Sequence, residues 1–545
     1  MNLSIKKTSI KQASLIIGLG TIFSRGLGIL RTYILNSQYP PARLGIYYAA
    51  FRIPDFIYAI FIFGTLSAAF IPLFSSLLSP EESNSLKKNS DATLFASEFL
   101  TNLTISLGVL AFLLFIFAYI AIEIIAPGLT PPDKQEVVLL TRLMLLQPIL
   151  LAMGTVFSAV LQTFRRFLVA AIAPSLYNLG IIVGALFLVK PFGLKGLAFG
   201  VLLGAFALVL VQLPSLFAVR FSWRIKESLK EKFFKKTFKL MGPRMLAVVS
   251  DQINVVAITA IASTISLASI TIFNQTQDIA IAPIGIIGVT LATAVFPSLS
   301  LSYSQNQKDS FVKTMFRAFK TIIFFAVPIS ILFILLRAQI VRVLLGTKLF
   351  DWESTRLAAA CLGLFGISFF AQALIPLLNR GFFAIHNSKT PMIIGFFATI
   401  MDVALSLSFL HFLSSSAWFH SFLASHLKLQ GIAHIQVVAL PLSFSITAIA
   451  EFLLLFFMFL AQFPKDTFPD IALPWLKTVF ASSAMALVTY ESLRPLANFF
   501  DMTTRLGVFL QGLSAGLLGF AIYFAVTFLL NENPFIHKKS YERKT

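Results

Sequence analysis

Three arginines and one aspartate stand within apolar stretches near the start of the chain. Arg25 and Arg31 belong to FSRGLGILRTYIL, and Arg52 and Asp55 belong to AFRIPDF. A charge at bilayer depth costs several kcal/mol unless it is paired or hydrated, so these side chains are expected to face a polar cavity. Guanidinium groups fit phosphate oxygens in a two-pronged geometry, and a cluster of three fixed cations therefore suits a diphosphate.

The spacing of these residues leaves other arrangements open. On an α-helix, Arg25 and Arg31 lie about 120° apart around the axis and ~9 Å apart along it, so a shared cavity requires a broad helix face. Arg52 and Asp55 are three residues apart and could pair, and Pro54 between them could kink the helix. The arginines could also snorkel to the membrane surface or form salt bridges that lock helices together.

Acidic side chains occupy apolar stretches in the second half of the chain. Asp402 and Ser406 are four residues apart in ATIMDVALSLS, hence on one helix face. With Asp251 they offer oxygen ligands for a small metal ion, and a monovalent cation or a proton would be the coupling ion. Alternatively, each aspartate pairs with a cavity arginine or caps a broken helix. Glu123 and Glu451 are predicted to lie near helix ends, at the membrane interface.

The composition indicates that the chain is a membrane protein. The 545 residues are 57% hydrophobic and 12% charged, whereas a soluble domain is about half apolar and a quarter charged. The apolar stretches are continuous, unlike the short alternating segments of a membrane β-barrel. The net charge of +20 lies mostly in short loops, so it indicates topology and anionic lipid headgroups rather than nucleic acid.

Sequence motifs of enzymes are absent. The chain has no Walker loop, HExxH or CxxC motif, and the single cysteine, Cys361, excludes an internal disulfide. We interpret the chain as a transporter without a cofactor rather than an enzyme. Because nothing in it hydrolyses ATP, the energy for transport must come from an ion gradient, the membrane potential or the concentration difference of the substrate.

Apolar runs predict an all-α polytopic membrane protein with about fourteen transmembrane helices, at roughly 20 residues per crossing. Several runs are longer than one crossing, so tilts, kinks or extensions beyond the bilayer are expected. The runs cover residues 12–36, 45–77, 97–126, 136–163, 167–189, 194–219, 241–264, 267–300, 315–345, 355–384, 391–413, 430–462, 471–492 and 504–531.

The distribution of Lys and Arg predicts the topology. By the positive-inside rule, both termini lie in the cytoplasm and the chain spans the cytoplasmic (inner) membrane. The densest basic stretch includes residues 221–240, which we interpret as an amphipathic linker on the inner surface or as a solvated connector. The predicted organisation is an N-terminal lobe of helices 1–6 (1–220), this linker, a C-terminal lobe of helices 7–12 (241–462), and helices 13–14 with a basic tail (463–545).

An internal repeat relates the two lobes. GTLSAAFIPLFSS, which starts at Gly64, matches VTLATAVFPSLSL, which starts at Val289, and Pro72 aligns with Pro297. Six predicted helices precede the basic linker and six follow it. Both halves begin on the same side of the membrane, so the repeats are predicted to be parallel, an architecture of transporters that work by alternating access.

Seven stretches resemble, in this order, motifs of the MurJ (MviN) lipid II flippases of the MOP exporter superfamily. The resemblance implies a fold of fourteen helices in two lobes, an inner cavity, and a groove near the last two helices for a lipid tail. It also implies export of undecaprenyl-diphosphate-linked peptidoglycan precursor to the outer leaflet, with this lipid-linked diphosphate, membrane lipids and the cell-wall synthesis machinery as partners. The stretches are FSRGLGILR, AFRIP, GTLSAAFIP, IAPSLYNLG, KLMGPRMLAVVSDQIN, GVTLATAVFPSLS and HNSKTP.

The resemblance assigns roles to individual residues. Arg25 and Arg31 match the first-helix arginines of the family, and Arg52 matches the basic position of its AF(K/R)xP motif. With Asp55, these are the candidate substrate-binding residues.

The chain also departs from the family pattern. Gly45-Ile46-Tyr47 stands where the family often has Asp-Ala-Phe, Tyr58 where many members have an arginine, and Asp278 near the position of the helix-8 arginine. These departures predict a less cationic cavity. They keep open an MOP-type exporter of another lipid-linked saccharide or small molecule, and a scaffold that recruits partners through its basic inner face.

Overall fold

A computed structural model describes residues 10–63, 70–82, 85–87, 90–225, 234–464 and 472–530, and the regular elements within them are helices. Twelve helical segments of these residues are long and apolar enough to cross a membrane. The all-α polytopic fold predicted from the apolar runs is therefore confirmed.

The chain divides into two compact units, Met1–Ile270 and Thr271–Thr545. Helix α13, Leu267–Ile284, runs across this boundary. The helices of the first unit are α1 Ile10–Gln38, α2 Pro41–Phe63, α3 Ile71–Leu77, α4 Asp91–Ile116, α5 Ala118–Ile125, α6 Pro131–Met144, α7 Gln147–Thr163, α8 Phe167–Val183, α9 Val189–Phe192, α10 Lys195–Leu210, α11 Leu213–Ala218 and α12 Phe234–Ile265. Those of the second are α14 Thr290–Ser304, α15 Lys308–Leu335, α16 Arg337–Leu344, α17 Trp352–Ala384, α18 Lys389–Ser415, α19 Ala417–His426, α20 Ala439–Leu460, α21 Ala472–Phe499 and α22 Arg505–Leu529.

Each predicted apolar run overlaps at least one of these helices. The longest runs are divided; residues 97–126, for example, form α4 and α5, which meet at Phe117. The first and thirteenth predicted helices are α1 and α21, which are outside the set of twelve. With 29 and 28 residues, both exceed the roughly 20 that a crossing needs.

Two glutamates predicted near helix ends have different surroundings. Glu123 lies near the end of α5 and pairs with Lys134 of α6 at 2.7 Å. Glu451 lies inside α20, so its predicted place near a helix end is wrong. Its side chain is half-buried and has polar interactions, so it does not need the membrane interface for solvation.

Parts of the predicted linker and repeat lie outside the described residues, namely 226–233 and 64–69. Helix α12 begins at Phe234, within the predicted linker, and packs against α2 and α5 of the first unit. The N-terminal lobe of residues 1–220 and the C-terminal lobe of residues 241–462 stay a prediction, as does the parallel repeat.

Glycines bring α8 and α10 together in the first unit. A Cβ added at Gly180 would lie 2.2 Å from the Gly204 Cα, and one at Gly184 would lie 2.5 Å from the Gly200 Cα. Small residues at helix contacts allow such close approach in membranes. A π-helical turn, Gly184–Leu188, joins α8 to α9.

The core of the second unit is aromatic. Phe311 of α15 stacks on Phe459 of α20, and Phe382 of α17 meets Phe459 edge-on. Tyr523 of α22 is buried and donates a hydrogen bond to the Phe324 carbonyl of α15 at 2.6 Å. Large rings contribute much buried area per residue, so they help to hold these helices together.

Candidate functional site

Arg31 lies in α1, which packs against α8. Gly20 permits this approach, because a Cβ there would come within 2.8 Å of the Ala171 Cβ. Arg31 is half-buried, and its Nη1 donates a hydrogen bond to Asn178 Oδ1 at 3.0 Å. Asn178 Nδ2 in turn donates to the Ser24 carbonyl at 3.3 Å. One carboxamide on α8 therefore holds both the guanidinium and the backbone of α1.

A second polar group joins α2 to α7. Gln147 Nε2 donates to Asp55 Oδ1 at 3.4 Å, and the hydroxyl oxygens of Tyr58 and Thr155 are 3.2 Å apart. Gln147 is 1% exposed. Because a buried amide or carboxylate is costly without a hydrogen bond, these contacts orient Asp55 and Tyr58.

Tyr177 on α8 connects the two groups. Its hydroxyl interacts electrostatically with Asp55 and Arg31, and also with Tyr47 and Tyr58. Tyr47, which is buried in α2, interacts with Arg31 and Asp55 as well. The arginine–tyrosine cluster, as we call it, consists of Arg31, Tyr47, Asp55, Tyr58, Gln147, Thr155, Tyr177 and Asn178.

Arg25 lies outside this cluster, in a pocket of the first unit. Its side chain is exposed, and the pocket has a volume of about 290 Å³. Arg25 and Arg31 therefore have different surroundings in this structure, and the cavity expected to be shared by the arginines stays a prediction. The pocket is lined by Gly20, Thr21, Ser24, Arg25, Gln162, Phe167, Ala170, Ala171 and Pro174.

Arg52 is half-buried on α2, three residues before Asp55. Helix α2 runs through Pro54 without interruption, so the two side chains lie about one turn apart on a continuous helix. The structure thus brings Arg31 and Asp55 into one cluster and gives Arg25 a separate pocket. The substrate-binding roles of Arg25, Arg31, Arg52 and Asp55 stay predictions.

The residues of the predicted cation site occur in both units. Asp251 is exposed on α12 of the first unit. Asp402 and Ser406 are buried in α18 of the second unit, and the Ser406 hydroxyl oxygen lies 2.5 Å from that of Ser443 on α20. Among the described residues, no group of three or more His, Cys, Asp or Glu side chains could hold a metal ion. The predicted site contains only two side chains of these types, Asp251 and Asp402, together with Ser406, and it stays a prediction.

Sequence reasoning missed several members of the arginine–tyrosine cluster. Asn178 and Tyr177 lie in the stretch IAPSLYNLG, which was recognised as a motif without a role. Gln147 and Thr155 lie in an apolar run with no distinguishing pattern. Only the rarity of an amide in that run could have indicated Gln147.

The family model described as lipid II flippase MurJ matches residues 42–506. The chain belongs to the MurJ lipid II flippase family. It is therefore a member of a family of membrane transporters and not of an enzyme family. The match includes Arg52, Asp55, Gln147 and Asn178, whereas Arg25 and Arg31 precede it.

Individual MurJ relatives are similar over most of the chain. The probable lipid II flippase MurJ of Buchnera aphidicola subsp. Acyrthosiphon pisum is 27% identical over 81% of each protein. That of Thermotoga maritima is 29% identical over 74% of this chain and 78% of the relative. The lipid II flippase MurJ of Burkholderia cenocepacia is 26% identical over 68% and 73%, respectively.

Solved structures of the superfamily share the fold. A lipid II flippase MurJ in an inward closed conformation superposes with a TM-score of 0.73 at 23% identity, covering 95% of this chain and 98% of that structure. An inward-facing MATE multidrug resistance transporter of the MOP superfamily superposes with a TM-score of 0.62 at 16% identity, covering 80% and 94%. The MurJ fold implied by the sequence motifs is thereby confirmed.

Proposed function

We propose that this MurJ family member moves undecaprenyl-diphosphate-linked peptidoglycan precursor from the inner to the outer leaflet of the cytoplasmic membrane. The family match over residues 42–506 supports this cargo. The structural observation that carries the proposal is the contact between Arg31 and Asn178. In this contact an uncharged carboxamide orients a permanent cation inside a membrane protein.

The chemistry of that contact suits an anionic headgroup. A guanidinium has five N–H donors, and a bond from Nη1 to a carboxamide oxygen orients the fork while leaving its charge unchanged. Phosphate oxygens match the forked donor geometry of a guanidinium and form charge-assisted hydrogen bonds with it. Tyr47 and Tyr177 lie near the same charge, and their hydroxyls can donate to phosphate or to a saccharide.

Alternating access supplies the transport step of this proposal. Arg25 and Arg52 add cationic positions on α1 and α2, so the diphosphate would pass between several arginines rather than rest on one. Both termini lie in the cytoplasm on the topology that the basic loops predict. Asp251, Asp402 and Ser406 would hold the coupling cation or exchange a proton, and cell-wall synthesis enzymes would take up the flipped product.

Complementation of a MurJ-depleted strain tests the proposal. The wild-type chain should restore growth, and Arg31→Ala should not, although it reaches the membrane at the same level. Arg342→Ala is the matched control: this arginine of α16 donates to the Met502 carbonyl at 3.0 Å, in the second unit. Its loss should leave growth intact.

Two outcomes would contradict different parts of the proposal. Failure of the wild-type chain, correctly inserted, would argue against this cargo and favour another lipid-linked saccharide or a small molecule. Rescue by wild type and equally by Arg31→Ala would retain the cargo but remove the arginine from the mechanism. Reconstituted protein and a fluorescent lipid-linked diphosphate, read by a membrane-impermeant quencher, would show whether growth reflects flipping.

A further inference from the structure

A short helix connects two membrane-spanning helices of the second unit. Helix α18 ends at Ser415, α19 covers Ala417–His426, and the next span begins at Ile435. The ten residues of α19 extend only about 15 Å, which is too short to cross a bilayer. Because both neighbours span the membrane, α19 lies close to the membrane surface.

The two faces of α19 have different surroundings. On one face, Leu423 is buried and Phe419 packs against Phe412 of α18, with ring centroids 6.4 Å apart. On the other face, Trp418 is 73% exposed and stacks on Phe422 at 5.5 Å. The helix is therefore anchored to the protein on one side and presents an indole and a phenyl ring outward.

This outward face continues an apolar surface that lipid covers. Phe397, Ile400 and Leu407 are exposed on α18, a helix that is long and apolar enough to cross the membrane. Phe412, close to the end of α18, is exposed as well and touches α19. Trp418 and its stacked neighbour on α19 extend the same kind of surface beyond the last turn of α18.

The end of α19 carries positive charge. His426 and Lys428 are exposed, and the Lys428 carbonyl accepts a hydrogen bond from the Arg356 guanidinium. Two permanent cations therefore lie beside the aromatic face. Tryptophan is enriched where acyl chains meet headgroups, and Lys and Arg near that level are attracted to lipid phosphates.

We propose that α19 is an interfacial helix, with its Trp418–Phe422 face embedded between the headgroups and acyl chains of the bilayer. Lys428 and Arg356 lie at the level of the lipid phosphates. Helices of this kind insert about 5–10 Å into the boundary region. On the predicted topology the surface is that of the outer leaflet, and the inference holds for any cargo.

Tryptophan fluorescence of the full chain in lipid nanodiscs tests this placement. Wild type and Trp418→Phe form a matched pair, because the substitution keeps an aromatic ring and removes only the indole. Their difference spectrum isolates Trp418 from the other three tryptophans. We expect the emission of Trp418 to be blue-shifted. Lipids brominated near the glycerol end of the acyl chain should quench it strongly, and lipids brominated near the chain end should quench it weakly. Aqueous iodide should have little effect.

Two other results would overturn the proposal. Strong iodide quenching with no effect of brominated lipid would place Trp418 in water. Protection from both quenchers would mean that protein covers it, either another part of this chain or a second copy, and cross-linking would separate these. If Trp418→Phe fails to fold, Phe422→Trp in the wild-type background reports on the same face. This variant adds a tryptophan, so the spectrum of wild type is subtracted from that of the variant.

Discussion

The two units hold their buried polar groups in different ways. In the first, amides and hydroxyls from neighbouring helices hold charged side chains, as Asn178 holds Arg31 and Gln147 holds Asp55. In the second, aromatic rings join the helices, and the hydroxyl of Ser406 hydrogen-bonds with the hydroxyl of Ser443. At these two places, amides of the first unit orient charged side chains, and the second unit packs aromatic rings together with a pair of serines.

Two individual glycine positions, one in each unit, also differ in their surroundings. Close approach of α8 and α10 leaves no room for side chains at Gly180 and Gly204. In contrast, Gly395 of α18 has nothing within 4 Å of an added Cβ. Glycine is a requirement of close packing in the first unit, whereas at this position of the second it is only a weak helix former.

The largest expected effect comes from filling the glycine contact. Gly180→Ala should destabilise the first unit by at least about 2 kcal/mol, because an added methyl group must push the α10 backbone away. Gly395→Ala carries the same chemical change in open space and should be neutral or stabilising. Thermal unfolding in detergent, followed by size-exclusion chromatography, measures both. Equal behaviour of the two variants would contradict the contrast in packing.

The next effect concerns how Arg31 is held. Asn178→Asp places a carboxylate beside the guanidinium, so it should weaken binding of a lipid-linked diphosphate roughly tenfold, or about 1.4 kcal/mol, while the unfolding temperature is kept. Asn178→Ala removes the contact and should lower both affinity and stability. Binding to the purified protein, measured beside thermal unfolding, separates the two. Unchanged affinity in Asn178→Asp would show that the charge of Arg31 does not meet the substrate.

A pH-dependent effect is expected in the loop that follows α3. Burial raises the pKa of the Glu82 carboxyl, but hydrogen bonds from the backbone N–H groups of Lys87 and Ser79, at 2.8 and 3.1 Å, outweigh it and leave the pKa below 4.5. Since the folded pKa is the lower one, this stabilisation is present above pH 4.5 and lost as the pH falls through the folded value. Glu82→Gln should cost about 1 kcal/mol at neutral pH.

The control for Glu82 lies in a loop of the second unit. Asp501 is exposed, and the hydroxyl and N–H of Thr503 lower the pKa of its carboxyl. Asp501→Asn should change the unfolding temperature less than Glu82→Gln does. Unfolding curves recorded from pH 7 to pH 2 should differ by a constant amount above pH 4.5, and the Glu82→Gln and wild-type curves should converge only below it. A constant difference across this range would contradict the role of the carboxylate.

The smallest effect is expected at the serine pair of α18 and α20. Ser406→Ala removes one hydrogen bond between membrane helices, which costs about 0.6 kcal/mol on average. Transport should keep its rate while its dependence on Na⁺ or pH changes if Ser406 contributes to a coupling site. The same variant with unchanged ion dependence would remove Ser406 from that site. Asp402→Asn, which retains size and removes charge, serves as the comparison.

Much of the fold was predictable, because lipid imposes a simple rule on sequence. A helix that crosses a membrane needs a continuous apolar run, and each predicted run contains a helix. Breaks within the runs were harder to locate. The division between α4 and α5 at Phe117 lies among apolar residues and depends on tertiary packing, as does the interior position of Glu451.

The candidate site was only partly predictable. Arg31 and Asp55 were recognisable, because ionisable residues are rare in apolar runs. Their partners were not, because Asn178 is 147 residues from Arg31 in the sequence, and hydropathy does not say which helices adjoin. The contact between the glycines of α8 and α10 could not be predicted either, because small residues occur throughout membrane helices.

The bridge made by Asn178 has a mechanical consequence. Its hydrogen bonds end on α1, at the Arg31 guanidinium and at the carbonyl and hydroxyl of Ser24, so sliding or rotating α1 against α8 would strain them together. The two helices are coupled in their motion. A displacement of α1 that keeps these hydrogen bonds would carry this part of α8 with it, and the π-helical turn Gly184–Leu188 that follows α8 is a place where the backbone could bend.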